Sequence, residues 1–135
     1  MISDTTIKWI MLVSGALTLT MLFAVIAPDA VMQRTFGEAA NGAAAEIVVR
    51  SWGILIGLIG ALLIYGAFHP EVRSLALTVA AVSKLAYVVL VLLHGRRYLA
   101  TAGLTVGFDS LMVVLFTMYL FSARTGAPQT MRTRA

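Results

Sequence analysis

Four apolar runs divide the chain, at about residues 7–27, 46–68, 74–94 and 102–123. Each has roughly the 20 residues that a helix needs to cross the hydrocarbon core of a bilayer. Between the first two lies a more polar stretch, residues 29–45, DAVMQRTFGEAANGAAA. It reads as an interfacial linker in which Asp29 could cap a short helix running to Arg34 or Phe36, with Gly37 ending it. Val31, Met32 and Phe36 could rest on the membrane surface, or the stretch could fold over the mouth of a bundle as a lid. His69–Arg73 reads as a tight loop in which Pro70 stops the second span. So short a connection makes the second and third spans antiparallel neighbours. The pattern predicts an all-α protein, a four-helix bundle of up-down-up-down topology with both termini on the same side. Residues 124–135, with Arg124, Arg132 and Arg134, read as a mobile basic tail at an anionic membrane surface.

Polar positions inside these runs carry more information than the runs themselves. Lys84 sits near the centre of the third, SLALTVAAVSKLAYVVLVLLH. An ammonium at mid-membrane costs about 2.5–3.5 kcal/mol on insertion scales, so it is expected to face protein or water and to have a counter-charge. Leu77, Ala80, Ala81, Tyr87, Val88 and Val91 fall on or beside its face, and Tyr87 offers a hydroxyl. Asp109, about two turns into the fourth run, is the natural counter-charge. In the second run Glu46, Arg50, Gly53, Gly57, Gly60 and Ile64 recur at spacings of three and four and form one narrow stripe. Its glycines are expected to pack closely against a neighbouring helix, and Glu46 and Arg50 can pair at i, i+4 while pointing inward. Ser14 and Thr18 share a face in the first run and read as packing residues.

These positions predict a funnel opening away from the terminal side. Its rim would be Glu46, Arg50 and His94, and its base Lys84 and Asp109. The competing readings are a buried pair that only sets helix register, an interfacial Glu46–Arg50 pair, a headgroup-level His94, and a Lys84 that faces another subunit.

Composition fits a membrane protein. Of 135 residues 60% are hydrophobic and 12% charged, and mean hydropathy is +0.93, whereas soluble domains carry about 25% charged residues. The absence of cysteine excludes disulfides, thiolate metal sites and thiol nucleophiles. The net charge of +4 lies mainly at span ends and reads as topology, with no nucleic acid expected as a partner. Lys8, Arg73, Arg124, Arg132 and Arg134 fall on the terminal side, and Arg34, Arg50, Arg96 and Arg97 on the other. This small bias favours both termini in the cytoplasm. A cleaved signal peptide competes for the first run, but its length, Asp4 ahead of it and Pro28 directly after Ala27 oppose that reading.

Glu-x-x-x-Arg opening the second span, the glycines behind it, a basic residue in the third, a His-Gly turn and an acidic residue entering the fourth together resemble the DoxX-like small membrane proteins. The likeness covers about Ala45–Phe116 and is carried by Glu46, Arg50, Gly53, Gly57, Lys84, Gly95 and Asp109. It implies a bacterial four-span protein of the inner membrane. In that group arginine is expected more often at position 84 and glutamate at 109, so the hydrogen-bond geometry differs here. The resemblance implies a fold and no activity.

Three functions stay open. The first is a binding module for a small anionic or lipophilic molecule, or an accessory subunit of a membrane complex, with Glu46, Arg50, Lys84, Tyr87, His94 and Asp109 as ligand-binding residues. The second is a transporter or channel, as a homodimer or with a larger partner, using Lys84 and Asp109. The third is an intramembrane isomerase with Asp109 or Glu46 as acid or base. No catalytic set, metal site or cofactor is specified, and membrane lipids are the expected surroundings.

Overall fold

A computed structural model describes residues 2–125. It contains five α-helices: α1 (Asp4–Leu19), α2 (Pro28–Phe36), α3 (Ala43–Phe68), α4 (Pro70–His94) and α5 (Leu99–Thr125). Two 3₁₀ segments, Thr20–Val25 and Arg96–Tyr98, extend α1 and precede α5. Four helical stretches, Asp4–Val25, Ala43–Phe68, Pro70–His94 and Arg96–Thr125, are long and apolar enough to cross a membrane. They form the all-α four-helix bundle expected from the sequence. The tail is helical as far as Thr125, and residues 126–135 lie outside the described residues.

The glycine stripe decides how the first two long helices meet. A Cβ on Gly60 would lie 2.6 Å from the Leu19 nitrogen and 2.7 Å from the Gly15 carbonyl oxygen. Hydrogen at both positions therefore lets the backbones of α1 and α3 touch, and Gly53 does the same beside Met21 and Ala24. Gly15 is the half of this contact that the sequence pattern did not single out.

Several boundaries differ from those expected. α4 begins at Pro70, and His69 is the only residue between it and α3. Proline was read as a stop, yet at the first position of a helix its missing N–H breaks no bond and its φ is already helical. Within the expected loop, Arg73 is buried: its Nε donates to the Gly66 carbonyl at 3.3 Å and its guanidinium to that of Ala67 at 2.9 Å. These are carbonyls at the C-terminal end of α3, where a cation is favoured. α2 ends at Gly37 with φ of 74°, as expected, but Asp29 is not its cap. Pro28 occupies the first turn, and the Asp29 carboxylate accepts from the Ala40 N–H at 3.1 Å, tying the two ends of the linker together.

Packing divides along the bundle axis. In the terminal half Ile7, Met11, Leu63, Leu77, Met112 and Phe116 are buried in one apolar cluster contributed by all four long helices. Below it the Tyr119 hydroxyl donates to Asp4 at 2.8 Å. At the opposite end α2 crosses the bundle. Val31 packs with Ala24 and Val49, and the Phe36 ring lies 6.3 Å from Trp52 and 5.3 Å from Tyr98.

Candidate functional site

Lys84 and Asp109 meet because the α4–α5 hairpin places them at one level. Lys84 is 10 residues before His94 and Asp109 is 10 residues after Leu99, about 15 Å of helix on each side at ~1.5 Å per residue. The Lys84 ammonium donates to the Asp109 carboxylate at 2.6 Å. Both residues are less than one-tenth exposed. The ammonium also reaches the Thr18 hydroxyl at 3.4 Å and lies 5.9 Å from the centre of the Phe108 ring, within reach of a cation–π attraction. Three helices thus converge on one charge. Thr18 was read as a packing residue, since a threonine in an apolar helix mostly bonds its own backbone or a neighbouring helix; which of these it does depends on which face of α1 turns inward.

The pair lies at the base of a cavity of about 440 Å³, a size typical of small-molecule sites. Thr18 and Thr20 line it on one side, Trp52, Ile56 and Ile59 on another, and Tyr87 and Phe108 beside the pair. Thr35 of α2, Ser83 of α4 and Thr105 of α5 complete the polar positions. The walls are mainly apolar, and hydroxyls outnumber charges.

The expected rim is not where the sequence put it. Glu46 and Arg50 do pair, at 3.6 Å, but their side chains are about two-fifths exposed and neither lines the cavity. Arg50 instead donates to the Val25 carbonyl, closing the end of the 3₁₀ segment. The stripe carries its glycines into the helix contact, and this turns its first residues towards the corner between α1 and α2. His94 is exposed on the last turn of α4, outside the lining. Tyr87 lines the cavity, although its hydroxyl is buried without a hydrogen-bond partner among the described residues, as is that of Ser14. Trp52, Thr20, Thr35, Ser83 and Thr105 line the site and were not expected there as ligand contacts. Only Trp52 carried a signal, as an indole within a span.

Among the described residues no cluster of His, Asp or Glu is arranged to hold a metal ion. No protein-family model, curated protein or solved structure matches the chain. Fold and site alone therefore define the class. It is an all-α bundle of four helices, each long and apolar enough for a membrane, with a buried ion pair at the base of a cavity.

Proposed function

We propose that this chain is a small integral membrane protein, related in architecture to the DoxX-like group, that binds a small lipophilic or anionic molecule above the Lys84–Asp109 pair. It would lie in a bacterial inner membrane with both termini in the cytoplasm, the orientation favoured by its basic residues. The observation that carries this reading is the position of the pair. It is buried yet borders a cavity of about 440 Å³, with Tyr87 beside it and a roof above. A pair that served only to set register would be expected to sit in packed side chains. A conducting path has less support, since the terminal half beneath the pair is filled by Leu63, Leu77, Met112 and Phe116. Acid–base catalysis has less support too, because the Asp109 carboxylate is already held by an ammonium at 2.6 Å.

Native mass spectrometry of the protein in mild detergent tests the proposal. Wild-type protein is expected to retain a stoichiometric small-molecule adduct that Lys84→Met loses. Bare protein, or a specific protein partner with no adduct, would instead make this an accessory subunit in which the pair is an internal strut.

A further inference from the structure

The bundle is unevenly closed. α1 and α3, α3 and α4, and α4 and α5 pack along much of their length, whereas α1 meets α5 only in the terminal half. There Ile7 and Met11 join Met112 and Phe116, and Tyr119 holds Asp4. Above that level the 3₁₀ segment and α5 make no extended contact. Cavity residues on the two sides of this gap face outwards: Leu17, near the end of α1, is 52% exposed and Leu104 of α5 88%, with Thr20 and Thr105 exposed beside them. A residue that both lines a cavity and faces outwards marks its mouth. α2 is the lintel, packed on the 3₁₀ segment at one end and on α5 at the other. Its Phe36 lies against Trp52 and Tyr98, closing the route from above. Leu104 is five residues into α5, about 7–8 Å below its start at ~1.5 Å per residue. Arg96, Arg97 and Tyr98 stand at that start, residue types suited to the headgroup level. The mouth therefore faces acyl chains.

The charges at the base restrict what can enter. Lys84 and Asp109 neutralise each other at 2.6 Å. A further full charge would be buried without compensation in a largely apolar chamber, which is costly. What remains free is hydrogen-bonding capacity. The ammonium has three protons, with one on Asp109 and one directed at Thr18, and the second Asp109 oxygen has no hydrogen bond among the described residues. Resting on the binding reading above, we infer that the ligand is a neutral amphiphile with a single hydroxyl or carbonyl head, admitted from the bilayer through the window between Thr20 and Thr105. Its head meets the ion pair and its apolar body lies along Trp52, Ile56 and Phe108.

Trp52 is a built-in reporter, since Trp9 is the other tryptophan and is exposed. The experiment uses Trp9→Phe protein in phosphatidylcholine vesicles, with terminally brominated dodecanol and brominated dodecanoate as quenchers. The alcohol is expected to quench Trp52 with a saturable component, and the carboxylate at equal membrane concentration only by collision. Thr105→Phe, which fills the window from an exposed position, should lose the saturable component. Thr105→Ser should keep it, as should Phe36→Ala in the roof. Saturation by the carboxylate in place of the alcohol overturns the inference and leaves the binding reading standing. So does a Thr105→Phe protein that saturates as before while Phe36→Ala quickens the onset. Saturation by neither quencher overturns binding at this cavity, and this inference with it.

Discussion

Arg73 and Lys84 are buried to the same degree, each 7% exposed, on the same face of one helix, yet they do different work. Arg73 lies at the terminal end, and its guanidinium is taken up by the Gly66 and Ala67 carbonyls of the preceding helix. Those carbonyls have no partner within α3, so the arginine and the helix end satisfy each other. Arg73 does not border the cavity, and the packed cluster of Leu63, Leu77 and Phe116 adjoins this region. Lys84 is matched by a carboxylate on another helix and borders open volume. The difference shows that burial of a charge does not by itself identify a site. In the binding function proposed above, the mark of the site is spare hydrogen-bonding capacity next to a cavity.

The largest test of this contrast is to break the upper pair. Asp109→Ala leaves an uncompensated ammonium and is expected to destabilise the bundle by ~3–5 kcal/mol, because removing one member of a buried pair exposes the full cost of the other. The double variant Lys84→Met, Asp109→Leu should recover most of that loss in a thermal melt in detergent while abolishing ligand binding. If the double variant remained as unstable as the single one, the pair would be structural in the way Arg73 is.

Arg73→Met should cost ~1.5–3 kcal/mol, the worth of charge-assisted hydrogen bonds to carbonyls, and leave ligand affinity unchanged. Loss of affinity in a protein that still folds would erase the distinction between the two halves. The smallest effect is expected at Tyr87, whose buried hydroxyl has no partner among the described residues. Tyr87→Phe removes an unsatisfied group and should leave stability unchanged or raise it by up to ~1 kcal/mol. A clear fall in melting temperature on that substitution would mean that the hydroxyl has a partner when the site is filled.

Much of this was legible in the chain, for reasons that are local. The glycine stripe named the face of α3 that meets α1, because only a residue without a Cβ permits backbone contact, and three- and four-residue spacing is a property of any helix. The Lys84–Asp109 pair was legible because two opposite charges in adjacent apolar spans have few other ways to be compensated. Equal distances from the intervening turn then put them level. Arg73 was missed because Pro70 was read as a stop, although the same proline serves equally well as a helix start. Glu46 and Arg50 were placed on a rim because they continue the glycine stripe, but that stripe packs against α1 rather than facing the cavity; His94 was placed there by depth, and depth says nothing of azimuth.

Four long apolar helices, the close helix pair and the identity of the buried charges could thus be read from the chain, since they follow from periodicity and the cost of isolated charge in an apolar medium. Only the packed molecule shows that Thr18 joins the pair, that α2 roofs the cavity and that the first and last long helices part above the terminal half. Those features depend on how far each helix is rotated about its own axis and where it leans on its neighbours. These rotations and tilts arise from the sum of many weak contacts between side chains distant in the chain.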